Sequence, residues 1–517
     1  MLPFNSRYFF CLPIFFFIGI FFLCFPVGLI GEVTPTWAPS PQVLSTTDPI
    51  QDSTLLEIGP LKLQATRPIL SLHTLPISLN MYTSALPDFI HWLGYQLAPS
   101  IELVVSIKLL SSILFLAFIW RYFTDILSYF WTMLYLLLLV SDWNFTFYKY
   151  ALGNTEICLQ LGWLCCTMAL LQWQKGNDGS AWLGWGFGLG FLAKITFLLN
   201  LLPLLAGLLY VRPQKITSRK IIAPILLGSL PFILTCALFS SVEFPIRSHD
   251  FFTLQWERIT QALTGANTSV REQHSNLWLW LFDPLPFFHQ AYRVPNISMH
   301  WFVKAVGFTL GMGLIWRRRG NKSIRLLMLL CSLQVLVLGF IAKDLHHLVM
   351  ATPLFWLFWI TVWYHNSDLG WKLALAILPF FIGNIQILVS SPRIISQVST
   401  PSFSAESQRE LVELLQRHQV QQVVTMDYEI YGVLEALTSD IEITHGWGAI
   451  SHERRSALPA LLQQAKGGHL LVLTSSSGMI YNLQPTTVLL EQNARELGLQ
   501  LVLENDSPEN IWLYSIR

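Results

Sequence analysis

The chain of 517 residues is 53% hydrophobic and only 12% charged, with mean hydropathy +0.48. Soluble globular domains are about a quarter charged, so this composition excludes an ordinary soluble protein. Apolar runs of bilayer length recur along the chain and make it a polytopic membrane protein. The net charge of +1 says little as a total, because charges in a membrane protein matter by side, and no nucleic-acid partner is expected.

The first apolar run, residues 8–30, is long, contains Pro26 and lacks a small-x-small cleavage signal before the polar stretch that follows. It reads as a retained span, not a signal peptide. Residues 31–99 are then polar and proline-rich, and a loop of roughly 70 residues is uncommon unless it has a function or is disordered. Its first acid, Glu32, follows the apolar run by two positions. Within it, residues 84–97 (SALPDFIHWLGYQL) mix aromatic and aliphatic residues with Asp88, His91 and Gln96, as an interfacial amphipathic helix would.

Further spans are expected at 101–120, 125–142, 154–173, 181–195, 196–210, 221–240, 301–316, 325–342, 347–364 and 372–389, about eleven in all. Residues 181–210 are long enough for one tilted helix or two short ones, and charge decides for two. With two helices, one side collects Arg7, Arg121, Lys175, Arg212, Lys215, Arg219, Lys220, Arg317, Arg318, Arg319, Lys322, Arg325 and Lys372. The short connections on the other side hold little beyond Lys149 and Lys343. The positive-inside rule then makes the basic side cytoplasmic and puts 31–99, 241–300 and 390–517 outside. Residues 241–300 read as short interfacial helices plus loop, fit to roof a cavity open to lipid and water.

Residues 390–517 change character. Helices are expected at 406–417, 429–437, 454–465 and 491–497, and strands at 423–427, 469–474, 499–503 and 511–516, a small α/β domain. It carries neither a GxGxxG nor a P-loop motif, so nothing supports a nucleotide site, and TSSSGM at 474–479 reads as a turn, a phosphate-binding one being the alternative. The seven cysteines (Cys11, Cys24, Cys158, Cys165, Cys166, Cys236 and Cys331) all lie in apolar segments, against disulfides and against a thiolate metal site. Adjacent Cys165 and Cys166 read as packing residues.

Ionisable groups in or at the ends of spans are expensive and therefore candidates for function. Glu32, held at a membrane surface by a helix end, suits a catalytic base, the alternative being an acid that anchors the loop. Asp142 and Glu156 bracket a short outer connection that also contains Lys149. Either acid could bind an acceptor, orient Lys149 or hold a divalent ion through oxygens, but no His/Asp/Glu spacing diagnostic of a metal is present. Lys194, in GFGLGFLAKITFLLN, needs an anion or a carboxylate if it does not snorkel, and the glycines around it let helices approach closely. KDLHH places Lys343, His346 and His347 at the start of a span, where a lipid-linked phosphate would be attracted, although tandem histidines are also ordinary interfacial residues.

Three stretches carry a resemblance: IGEVTP after the first span, residues 79–123, and residues 145–205, with KDLHHLVMATPLFWLF at 343–358 in support. Over about residues 1–390 the chain resembles GT-C superfamily membrane glycosyltransferases, in particular family 39-like enzymes related to protein mannosyltransferases and the lipid A aminoarabinose transferase. The resemblance implies a multi-span helical bundle (1–389) with an outside active site and a small extracytoplasmic domain (390–517), in the inner or plasma membrane. It implies sugar transfer from a polyprenyl-phosphate donor to a lipid, glycan or protein acceptor. It puts Glu32 at the first-loop catalytic acid, Glu156 at the acid opening the fourth span, Lys194 at the family's lysine, and His346 or His347 at the donor-contacting position. Two departures stand out: the family usually has Asp, often Asp-Glu, where this chain has Glu32 followed by Val33, and NMYTSAL replaces its proline-rich turn.

The expected chemistry is an inverting displacement. Glu32 activates the acceptor, and Lys194, Lys343 and His346 or His347 stabilise the leaving phosphate. Asp142, Glu156, Lys149, Arg67 and His73 stand on the acceptor side or behind it. No cofactor is implied beyond a possible divalent metal ion. The competing readings are a non-catalytic scaffold or accessory subunit of envelope glycan assembly and a secondary transporter. The transporter reading would require internal repeats and midplane polar residues that the sequence does not display.

Overall fold

The structure, a computed structural model, describes residues 8–24, 55–58, 61–64, 74–76, 101–142, 145–146, 154–193, 195–211, 217–238, 243–244, 249–250, 321–338, 350–366, parts of 371–385, 405–426, 434, 441–445, 458–473, 486–504 and 511–517. The bundle contains α1 (Tyr8–Cys24), α2 (Ile101–Leu127), α3 (Tyr129–Ser141), α4 (Asn154–Gln174), α5 (Ser180–Ala193), a 3-10 turn (Ile195–Asn200), α6 (Leu201–Val211), α7 (Ser218–Leu238), α8 (Lys322–Val337) and α9 (Thr352–His365). Of the described helices, α2 contains the one stretch, Leu109–Leu127, long and apolar enough by length and composition to cross a bilayer. α1 packs on α3 and α2, with Phe17 fully buried.

The expected break between residues 120 and 125 lies farther along. α2 runs on through Arg121 and Asp125, which pair at 3.6 Å on its exposed surface, and the chain reverses at Ser128. There φ is 68° and ψ 164°, a conformation that normally requires glycine. The reversal lays α3 back along α2, with ring centroids 6.0 Å apart for Phe123–Tyr135 and 5.7 Å for Phe115–Phe145.

The segment 181–210 divides into two helices, as expected: α5 closes at Ala193 and α6 opens at Leu201, after the 3-10 turn. Gly179 abuts Ala169 near the start of α5, Gly186 and Gly190 abut Gly162 farther along it, and Gly207 of α6 returns to Leu170 and Leu330. The chain therefore climbs α5, turns through the 3-10 segment and descends α6. Two interleaved pairs of glycines make α5 a spacer with two bare faces. A methyl on Gly162 of α4 would sit 2.8 Å from the Gly186 carbonyl oxygen. On the other face, a methyl on Gly184 would sit 3.3 Å from the Pro224 carbonyl oxygen, and one on Gly188 would sit 3.4 Å from that of Gly228, both on α7. Small residues i and i+4 are how helices without a hydrophobic driving force reach close contact in lipid. Cys166 packs its sulfur toward Gly186, and Cys165, Cys166 and Cys331 are buried free thiols.

Outward-facing positions stay apolar: Ile222, Leu226, Leu227, Leu230, Ile233 and Leu234 on α7, and Leu202, Leu205 and Leu209 on α6 are all exposed. Such a surface suits a bilayer and not water.

Polar contacts gather one set of helix ends together. Lys220 bonds Asp178 at 2.9 Å, Ser323 donates to Gln174 at 2.9 Å, and the Tyr210 hydroxyl lies 3.4 Å from the Lys322 carbonyl. Lys220 and Ser180 hold the exposed Asp178 carboxyl well below the usual carboxylate range. This end also holds Lys175, Arg219 and Arg325, the side the sequence reading makes cytoplasmic.

The polar stretch after α1 contains a small sheet the sequence reading did not anticipate. β1 (Leu55–Ile58) pairs antiparallel with β2 (Leu61–Gln64), and β2 pairs parallel with β3 (Thr74–Pro76). Two further two-residue strands, β4 (Glu243–Phe244) and β5 (His249–Asp250), pair in the second loop. The helix expected at 84–97 and the span expected at 301–316 lie outside the described residues.

The C-terminal region holds α10 (Ala405–Arg417), β6 (Gln422–Thr425), β7 (Glu442–His445), α11 (Leu458–Gln464), β8 (His469–Leu473), α12 (Thr486–Glu496), β9 (Leu501–Leu503) and β10 (Ile511–Ile516). The five-stranded sheet runs β7-β6-β8-β10-β9, parallel across β7, β6 and β8 and antiparallel beyond. Alternation along the strands splits the core in two. Val423, Leu471 and Leu513 meet Leu411, Leu414 and Leu415 of α10. Val424, Leu470 and Tyr514 meet Leu461 and Leu462 of α11 and Leu490 and Ala494 of α12. Strand β7 had no counterpart in the sequence reading, and α12 starts at Thr486, ahead of the expected Glu491.

Candidate active site

Glu32, Arg67, His73, Lys149, Lys194, Lys343, His346 and His347 lie outside the described residues. What the structure gives is the framework around them. Glu156 falls in the first turn of α4, opposite the basic end that α4 reaches at Gln174. Lys194 stands in sequence between Ala193, which closes α5, and Ile195, which opens the 3-10 turn. The KDLHH sequence, residues 343–347, lies a few positions ahead of Thr352, where α9 starts.

Asp142 is the one proposed site residue whose side chain is described. It closes α3 and is 8% exposed. Its Oδ2 accepts from the Nε1–H of Trp356, on the second turn of α9, at 2.8 Å. Its Oδ1 lies 3.4 Å from the Phe145 backbone N–H, and its carbonyl accepts from Thr146 N at 3.0 Å, so it also caps the turn beyond α3. Two turns back along α3, the Tyr135 hydroxyl donates to the Pro353 carbonyl at 2.8 Å. At the other end of the same helix pair, the Trp131 ring meets Trp363 at 5.4 Å. Helices α3 and α9 are thus antiparallel neighbours. The end of α3 at Asp142 and the start of α9 therefore meet at one end of the bundle, away from the Lys220–Asp178 end.

A buried carboxyl group that accepts N–H donors on both oxygens is fixed in direction, an environment that suits a residue positioning a loop. Among the described residues, no group of three or more His, Cys, Asp or Glu side chains comes together to hold a metal.

A second polar contact lies inside the bundle. Gln334 of α8, fully buried, donates through Nε2 to Asn200 Oδ1 at 3.0 Å, and Asn200 is 3% exposed. Sequence reading passed over both, since single amides inside apolar runs have no periodic signature. Their one signal was polarity at membrane depth.

No family model matches the sequence, and no curated protein matches it by sequence. In structure the chain is similar to the crystal structure of ArnT from Cupriavidus metallidurans bound to undecaprenyl phosphate, with a TM-score of 0.52 and 12% identity over 98% of this chain and 97% of that one. The apo crystal structure of the same ArnT gives a TM-score of 0.46 and 11% identity over 83% of this chain and 87% of that one. The cryo-EM structure of arabinofuranosyltransferase AftD from Mycobacteria gives 0.42 and 10% over 98% of this chain and 40% of that one. At such identities a likeness speaks to fold, and only the first is close enough to do so. The chain shares the overall fold of that ArnT structure, a largely helical bundle with a small C-terminal β-sheet domain.

Proposed function

We propose that the protein transfers a sugar from a polyprenyl-phosphate donor to an acceptor at the extracytoplasmic face of the membrane, with inversion at the anomeric carbon. The observation that carries this reading is the end-to-end likeness of the chain to an ArnT structure holding undecaprenyl phosphate. The Asp142–Trp356 bond supports it further, by joining two of the segments that contain candidate groups.

In this reading Glu32 accepts the proton of an acceptor hydroxyl or amine as that atom attacks the anomeric carbon. The bond from that carbon to the phosphate oxygen breaks, the electron pair stays on the phosphate, and polyprenyl phosphate leaves. Lys194, with Lys343 and His346 or His347, offsets the charge growing on that oxygen. Asp142 positions the connection carrying Lys149 and leading to Glu156, with Arg67 and His73 toward the acceptor. Sugar and acceptor are tested by offering a panel of radiolabelled polyprenyl-phosphate sugars to membranes containing the wild type or Glu32→Gln, and inversion by the anomeric configuration of the labelled product. Transfer by the wild type that falls about a hundredfold or more in the variant is expected of a lost general base. Equal transfer by both would remove Glu32 from the mechanism.

A further inference from the structure

Polar contacts draw three helix ends together on the basic side of the bundle. Gln174, the last residue of α4, accepts from Ser323 in the first turn of α8 at 2.9 Å. The Tyr210 hydroxyl, near the end of α6, lies 3.4 Å from the Lys322 carbonyl. Lys175 follows Gln174 and Lys322 precedes Ser323, so the first contact sets two exposed lysines close together, with exposed Arg325 one turn farther along α8. The carboxylates described at this end are already engaged, Asp178 by Lys220 at 2.9 Å and Asp125 by Arg121 at 3.6 Å. Among the described residues, neither Lys175 nor Lys322 forms an ion pair. Cations gathered without counter-charge repel one another, a cost that a bound anion offsets.

An exposed apolar track runs up to this cluster. Gly207 lets α6 press against Leu170 of α4 and Leu330 of α8, while Leu202, Leu205 and Leu209 of the same helix are exposed. Their spacing, i, i+3 and i+7, puts the three leucines on one helix face. Leu209, 74% exposed, precedes Tyr210 and so stands at the lysine end of the track. Leucines that lead up to ammonium groups have the two-part chemistry of a phospholipid site, acyl chains on the track and an anionic headgroup on the cations. A soluble anion would use only the cations, and an apolar helix only the leucines.

We infer that this end of the bundle binds an anionic phospholipid, its headgroup on Lys175 and Lys322 with Arg325 adding charge, its acyl chains along Leu209, Leu205 and Leu202. The site lies at the opposite end of the bundle from Asp142 and does not depend on the sugar-transfer reading.

The test uses the full-length protein in neutral detergent micelles, with dioleoylphosphatidylglycerol and dioleoylphosphatidylcholine as probes that share acyl chains and differ in headgroup charge. Bound lipid is counted by native mass spectrometry across a titration. The wild type should bind phosphatidylglycerol about twenty-five-fold tighter or more, at about fivefold for each lysine. Lys175→Gln/Lys322→Gln should lose about that factor for phosphatidylglycerol and nothing for phosphatidylcholine, and keep its lipid-free Tm, since exposed charges contribute little to stability. Arg121→Gln removes a cation of the same end, on α2, and should bind both lipids as the wild type does. An equal loss in Arg121→Gln would mean diffuse attraction to the whole basic end and would overturn the site. Equal affinity of the wild type for the two lipids would overturn it as well. Millimolar sodium phosphate at fixed ionic strength should leave lipid binding unchanged, and displacement by it would give the site to a soluble anion instead. Raising the salt should shrink the wild-type preference, because exposed charges are screened. That measurement needs no variant and decides the matter should the double variant fail to fold: a preference indifferent to salt would overturn the inference.

Discussion

Asp142 shows how a residue singled out by cost acquires a role from its surroundings. A carboxylate at the end of an apolar helix was legible in the sequence as an expensive group. Its partner was not, because Trp356 lies 214 positions away and tryptophans are common throughout the chain. The bond between them satisfies a buried acceptor, so removing the donor leaves that oxygen short of one partner. Trp356→Phe keeps the ring and deletes the N–H. It should cost about 1–3 kcal/mol, the range for a buried polar group deprived of a partner, and lower the Tm of the solubilised protein. Transfer should also fall, since the loop toward Glu156 loses its tie to α9. Asp142→Asn, which retains an acceptor oxygen for the indole, should be milder in both readouts. A wild-type Tm in Trp356→Phe would mean that the contact contributes nothing.

At the scale of elements, the strongest constraint is the glycine-faced α5. A side chain at Gly186 would enter the space of Cys166 and the Gly162 carbonyl, and one at Gly228 would meet the backbone of Gly184 and Gly188. Neither neighbour is a flexible chain end that can move aside, so Gly228→Leu should cost about 3 kcal/mol or more through overpacking. Size-exclusion profiles should shift from a single species to aggregate. Gly19→Leu in α1, which has nothing within 4 Å of the added carbon, is the control and should run as wild type. The glycine spacing in α5 was readable because it is local. So was the division near position 194, where loop charges upstream and downstream allowed only an even number of crossings. The turn at Ser128 was not readable, because a serine at positive φ contradicts its own propensity, and the ion pair Arg121–Asp125 mimics a loop while extending a helix. The strand β7 was missed for a related reason: its four residues, EITH, are too short to display a period, and only pairing with β6 defines them. In α12, Thr486–Val488 are poor helix formers, and burial of Leu490 against the sheet decides the matter.

For the whole molecule the governing feature is the sorting of polar groups between the two ends of the bundle. Lys175, Arg219, Lys220, Lys322 and Arg325 belong to the helix ends joined by the Lys220–Asp178 and Ser323–Gln174 contacts. Asp142 and the first turn of α4 belong to the other. If the positive-inside rule governs the fold, the turn at Asn177 faces the cytoplasm, and about eleven spans put the C-terminal sheet domain on the opposite side. Both positions offer exposed residues for labelling: Asn177 in the turn between α4 and α5, and Gln492 on α12. In intact cells made permeable only at the outer membrane, a membrane-impermeant maleimide should label Gln492→Cys and spare Asn177→Cys, with the wild type as the background. Asn177→Cys should react after the inner membrane is opened. Labelling of both positions before that step would put the basic end and the domain on one side, and the number of crossings between them would then be even. The reverse pattern would invert the bundle and put Asp142 and Glu156 on the cytoplasmic side. An extracytoplasmic transfer reaction requires the first pattern, so the labelling tests the proposed function as well as the topology.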